Sequence, residues 1–203
     1  FEHTPGTMAS TSSGDATDSY HRWRDDADII ASIGLDNYRF SLEWSRIEPA
    51  DGEFSQAALD HYARMCEGLK ERGIDPVVTF HHFTTPIWMA DRGGWQNPDI
   101  ADRFAAFVER AAARLDGLMT KACTINEPNM VAFVGYVLGA FPPGKQEPVA
   151  VLDDINPIFV DAHRKAVEVI RSASPGTPVG LTVSCTEWEA VESDDPAADL
   201  PYG

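Results

Sequence analysis

What this sequence lacks removes several classes of function at once. No apolar run approaches the ~20 residues of a membrane-spanning helix, so no entry into a bilayer is expected. Neither GxGxxG nor GxxxxGK(S/T) occurs, which leaves a dinucleotide or P-loop site without its phosphate-binding turn. HExxH is absent, and Cys66, Cys123 and Cys185 form no CxxC pair, so no metal site is indicated. An odd cysteine count also argues against a disulfide framework. All three fall in apolar helix or strand patterns and are expected as buried thiols, which suits a reducing, cytoplasmic setting. Positive charge is scarce: 16 Lys and Arg stand against 32 Asp and Glu, a net charge of −16. A nucleic-acid partner would need clustered cations that this chain does not have. The chain begins at Phe1 and not at Met, so a leader is neither visible nor excluded.

What is present is an alternation of two periodicities. Residues 1–17 read as a loop. A helix is predicted from about Asp18 to Ile33, closed by Gly34. Asn37–Trp44 reads as a strand, Ser55–Gly73 as a helix with Leu59, Tyr62, Cys66 and Leu69 on one face, and Pro76–Phe83 as a second strand. Asn97-Pro98 opens a helix in cap-then-proline order, with Ile100, Phe104, Val108, Ala111 and Leu115 along one side. KACTINEP is a third strand. Asn156-Pro157 is expected to open a helix running to about Ser172, and Pro178–Cys185 a fourth strand. Strand and helix alternate throughout, which specifies a parallel sheet with right-handed crossovers. Two architectures remain, a doubly wound open sheet and part of an eight-fold barrel. His81-His82, Asn126-Glu127 and Glu187 all fall at C-terminal strand ends, the edge from which barrels assemble their sites, and this favours the barrel.

Several residues at that edge could carry chemistry. Arg39, in the middle of a strand, is expected to need a carboxylate partner, because a lone buried charge is costly. His81 and His82 point to opposite faces of a strand and cannot chelate one ion together; one is read as a ligand contact and the other as structural. Trp44, Phe83, Trp88, Trp95 and Trp188 offer flat apolar faces of the kind that suit the C–H faces of sugars. Glu127 has the strongest claim. Hydrolysis of a glycosidic bond takes two carboxyl groups, one to protonate the leaving oxygen and one to attack or to activate water. Glu127, between an apolar strand and Pro128, suits the proton donor, with Asn126 beside it for a sugar hydroxyl. On an ideal strand these two neighbours face opposite sides, so the strand must distort at its end for both to serve.

The stretches YHRWRDDADIIASIGLDNYRFSLEWSRIEP, VVTFHHFTTPIWMADRGGWQNP and TINEPNMVAFVGYVLGAFPPG resemble the N-terminal half of the family 1 glycoside hydrolases, the β-glucosidase family. The likeness covers essentially the whole chain in the family's order; the NEP tripeptide alone is shared with other retaining barrel glycosidases of the same clan. The resemblance implies a partial (β/α)8 barrel over residues 1–203, roughly strands two to five, with the first strand and the C-terminal half absent. It implies hydrolysis of β-glucosides or related sugars, with no cofactor. Glu127 would be the general acid/base and Asn126 would hold the hydroxyl next to the anomeric carbon. His82 and Phe83 would face the sugar, and Arg39 would orient the nucleophilic carboxylate. That nucleophile belongs to a TENG-type motif that this chain does not contain, so the chain alone is expected to be inactive without the C-terminal half. Glu187 and Glu189 are expected to be solvated loop residues, with replacement of the nucleophile as the lesser reading. A non-catalytic sugar-binding or scaffold role is the alternative. Four positions depart from the family pattern: Phe83 stands in place of tryptophan, Thr84-Thr85 in place of Asp-Leu, and Glu43 in place of serine.

Overall fold

The computed structural model describes residues 11–185; the opening FEHTPGT segment, Glu187, Trp188 and Glu189 lie outside the described residues. Four strands, β1 (Asn37–Ser41), β2 (Asp75–His81), β3 (Lys121–Asn126) and β4 (Val179–Thr182), form one sheet in the order β1-β2-β3-β4. Every pairing is parallel. A doubly wound sheet would reverse its strand order at a switch point. Strictly sequential order, with the right-handed crossovers that parallel units take, puts the crossover helices on one face, which is an arc of a (β/α)8 barrel.

The helices follow the apolar patterning. α1 (Ser19–Ser32) buries Trp23 and Ala27. A four-residue turn, α2 (Trp44–Ile47), follows β1, and α3 (Gln56–Glu71) buries Leu59, Tyr62, Cys66 and Leu69. Ser55 caps α3 by accepting the Ala58 N–H at 3.2 Å. At its other end Gly73, φ +73°, lets the chain leave through the left-handed conformation. Gly68 serves a different purpose, since a Cβ there would stand 2.3 Å from the Trp23 ring. Its absence lets α1 lie directly on α3. A short α4 (Ile87–Ala90) precedes α5 (Ile100–Arg114), and α6 (Pro128–Ala132) runs into a π-helical turn, Phe133–Val137. α7 (Val151–Ala173) packs along α5. The core between sheet and helices is dominated by Trp44, Phe80, Trp95, Phe104, Phe107, Ile125 and Phe159, all nearly inaccessible.

Five expectations need correction. α7 begins at Val151, so Pro157 lies inside it. Pro157 and Asp153 are both exposed, so the carbonyl that loses its amide partner can bond water, and Asp153 and Asp154 in the first turn favour the helix start. β1 stops at Ser41 because Glu43 caps α2, and β2 stops at His81 because Phe83 takes φ +71°, outside the β region. β4 stops at Thr182, and Cys185 beyond it is exposed; Cys66 and Cys123 are buried as expected. Among the described residues no helix is long and apolar enough to cross a membrane.

Candidate active site

Asn126 is the centre around which the open face of the sheet is organised. It is 2 % exposed, at the last position of β3. Its Oδ1 accepts two hydrogen bonds of 3.0 Å, from Arg39 Nη1 on β1 and from Thr182 Oγ1 on β4. β2 lies between β1 and β3, so the first bond must pass over the face of β2, and this fixes Arg39 and Asn126 on the same side. With both lone pairs of Oδ1 used, Asn126 has its Nδ2 hydrogens to offer a ligand. Arg39 itself is exposed, and among the described residues it has this amide oxygen and no carboxylate as its partner. The requirement for a carboxylate assumed burial, which the open face does not impose.

The strand distortion that Asn126 and Glu127 need is present. Cys123 pairs with Gly180 and Asn126 with Thr182, so three residues of β3 advance against two of β4. This bulge displaces the alternation by one residue. Glu127 then takes φ +47°, ψ +59°, a left-handed conformation that costs a non-glycine residue about 1–2 kcal/mol. Its backbone is held on both sides: its N–H donates to Thr182 O at 2.9 Å, and its carbonyl accepts from Met130 and Val131 N–H. The side chain is half-buried, and among the described residues no partner bonds its carboxylate. Asn129 adds a tie that sequence reading did not anticipate. Its Nδ2 donates to Ser184 O at 2.8 Å and its Oδ1 accepts the Ser184 N–H at 3.2 Å, so it holds the chain beyond β4 against α6.

The two histidines separate as their positions on a strand require. His81 is 1 % exposed, edge-on to Trp95 (5.1 Å, 84°), with Nε2 3.4 Å from Thr85 Oγ1. Burial, with a smaller contribution from His82, pushes its pKa down to about 3. His82 is half-buried. Burial and then the positive charge of Arg39 lower its pKa, while Glu127 acts to raise it. Arg39, His82 and Glu127 therefore feel one another, and His82 is a neutral hydrogen-bonding group at pH 7. Among the described residues no group of three or more His, Cys, Asp or Glu is placed to hold a metal ion.

Among the described residues, Phe83 is the one predicted aromatic whose ring meets a candidate site residue, His82. It stands edge-on to His82 (4.8 Å, 86°), leans on Phe141 (5.3 Å, 48°) and forms part of the wall of a cavity of about 310 Å³ with Thr84, Thr85, Tyr136 and Pro142. Trp44 and Trp95 are core residues, stacked on Phe107 and Phe159. Trp88 is half-buried and donates its indole N–H to Glu48 O at 3.0 Å, so it too is structural. Glu43 caps α2 and accepts the Thr84 hydroxyl at 2.9 Å, so two of the departures from the family pattern meet in one hydrogen bond. The carboxylate expected at position 84 and the hydroxyl expected at 43 have exchanged places.

The model of glycosyl hydrolase family 1 matches residues 1–199. Beta-glucosidase A of Acetivibrio thermocellus is 35% identical over 207 residues, which cover 100% of this chain and 46% of that protein. Beta-glucosidase A of Thermotoga maritima is 36% identical over 183 residues, 89% of this chain and 41% of the other. A solved family 1 β-glucosidase from Thermotoga maritima superposes with a TM-score of 0.89 at 34% identity, covering 98% of this chain and 44% of that structure. The chain thus spans less than half the length of these relatives.

Proposed function

The chain belongs to glycosyl hydrolase family 1, and on that premise we propose that it supplies the acid/base half of a retaining β-glucosidase-like active site. Glu127 protonates the glycosidic oxygen as the bond to the sugar breaks. A second carboxylate, carried outside this chain by the remainder of the barrel, attacks the anomeric carbon and forms the glycosyl-enzyme. Glu127, now ionised, then takes a proton from water as that water displaces the carboxylate. Asn126 Nδ2 donates to the hydroxyl beside the anomeric carbon, and neutral His82 bonds the sugar further round the ring. Arg39, exposed on the open face and anchored at one end to Asn126, orients the incoming carboxylate with its free guanidinium N–H groups. No metal or cofactor takes part. The substrate is a β-linked glucoside or a related sugar.

The observation that carries this reading is the bulge-and-left-handed exit of β3, which supports Asn126 and Glu127 acting together. The test is Glu127→Gln in the protein that contains this chain together with the rest of the barrel. Turnover of an alkyl β-glucoside, whose leaving group needs a proton, is expected to fall by about 10²–10⁴-fold. Glycosylation by a dinitrophenyl glucoside, whose leaving group needs none, is expected to fall far less. Equal losses on both substrates, or unchanged turnover of the alkyl glucoside, would overturn the assignment.

A further inference from the structure

Phe83, Thr84 and Thr85 carry the chain away from His82, yet no backbone hydrogen bond outside the helices and the sheet ladder reaches any of the three among the described residues. Phe83 is also left-handed, φ +71°, a conformation rare for an aromatic residue and kept only where its surroundings enforce it. The shorter of two side-chain ties on this segment is the Thr84 hydroxyl, which donates to Glu43 Oε2 at 2.9 Å; the other, Thr85 Oγ1 to His81 Nε2, is 3.4 Å long. Glu43 is itself fixed from several sides. Its Oε1 accepts from Ser45 Oγ at 2.7 Å and from the Ser45 N–H at 3.3 Å, and its backbone N–H donates to Tyr62 Oη at 3.0 Å. A residue anchored at the end of β1 therefore holds the exit of β2. The consequence passes through Phe83, whose ring stands edge-on to the His82 imidazole at 4.8 Å.

We propose that Glu43 and Thr84 form a positioning latch for His82, with Phe83 as the intermediate. Neither latch residue touches reacting atoms. The latch sets where the imidazole meets the sugar, and so acts on ground-state binding more than on bond cleavage. It rests on the reading of His82 as a sugar contact. A charge-assisted hydrogen bond is the strong kind, and its removal leaves the segment, among the described residues, with the long 3.4 Å Thr85–His81 contact as its remaining side-chain bond. Glu43 also caps α2, so Thr84 is the cleaner place to cut: Thr84→Val keeps the branched shape and removes only the donor.

The experiment compares wild type, Thr84→Val and Thr84→Ser in the protein containing the rest of the barrel, with an aryl β-glucoside. Thr84→Val is expected to raise KM about 5–20-fold, the size of one lost charge-assisted hydrogen bond, with kcat and the limbs of the pH profile little changed. Thr84→Ser, which restores the hydroxyl, is expected to return KM to near the wild-type value. A second readout needs no activity: the His82 ring-proton resonances, assigned with His82→Gln, lie beside the Phe83 ring current. They should move in Thr84→Val and stay in place in Thr84→Ser. Unmoved resonances in Thr84→Val, or a serine variant that behaves like valine, would overturn the latch. If the wild type hydrolyses no β-glycoside, the glycosidase reading falls, and the resonances alone decide the latch.

Discussion

β2 and β3 end in the same unusual way and are secured by opposite means. Each runs through a polar residue with a proposed sugar contact, His82 or Asn126, into a left-handed non-glycine residue, Phe83 at φ +71° or Glu127 at φ +47°. At β3 the backbone does the holding. Glu127 bonds Thr182 O, starts α6 with its own carbonyl, and sits behind an amide that gathers donors from β1 and β4. At β2 the side chains do it, through Thr84 on Glu43 and the edge-on and tilted ring contacts of His82, Phe83 and Phe141. The difference fits the tasks proposed for the two ends. An acid/base must keep its place within a fraction of an ångström through two steps. A sugar-contact residue tolerates an adjustable mount.

The comparison breaks most visibly if the two left-handed residues are replaced alike. Glu127→Ala is expected to slow hydrolysis of an alkyl glucoside by about 10²–10⁴-fold, whereas Phe83→Ala should act mainly on KM; steady-state kinetics on both variants would check this. Acid distinguishes the ends next. The unfolded chain binds a proton on His81 near pH 6.5, while the folded protein refuses it down to about 3. Its contribution is fully present above pH 6.5 and is lost as the pH falls through that window, on the order of a few kcal/mol. His81→Phe should flatten the pH dependence of the urea midpoint relative to the parent below pH 6. Asn126→Ala is expected to cost about 1–3 kcal/mol in denaturant unfolding, because it strands the Thr182 hydroxyl and releases Arg39. The smallest effect sharpens the picture most. Glu127→Gly removes the left-handed penalty, so it should hold or raise stability by about 1 kcal/mol in a thermal melt while abolishing acid catalysis.

The parallel barrel arc and the burial of His81 apart from His82 could be read from the sequence, because they depend on periodicity and on what a strand can present. The bulge could only be required, since nothing in KACTINEP names the residue that supplies it. Arg39 reads as buried because a strand-centre cation looks so whether or not the facing side is covered, and in this chain that side is open. Pro157 misled because a proline can sit in the second turn of a helix when the carbonyl it frees, that of Asp153 in the first turn, faces water. Three residues that shape the site, Glu43, Thr84 and Asn129, act through contacts 41 and 55 residues away along the chain, which no local pattern reports. The first two left a trace even so: both interrupt the family pattern, and the interruptions share one hydrogen bond.

An extra residue between Cys123 and Asn126 makes the length of β3 part of the site. Ile125 can change identity and alter only packing, whereas Thr124 also carries hydroxyl bonds to His163 Nδ1 at 2.7 Å and Gly180 O at 3.3 Å. Loss of either would restore an uninterrupted two-residue rhythm against β4 and turn Asn126 away from Arg39 and Thr182. Insertions and deletions are then judged far more harshly here than substitutions, and the seven residues from Lys121 to Glu127 act as a ruler. A lineage can repaint some of its marks, Asn126 and Glu127 excepted, but it cannot shorten it by one and keep the chemistry.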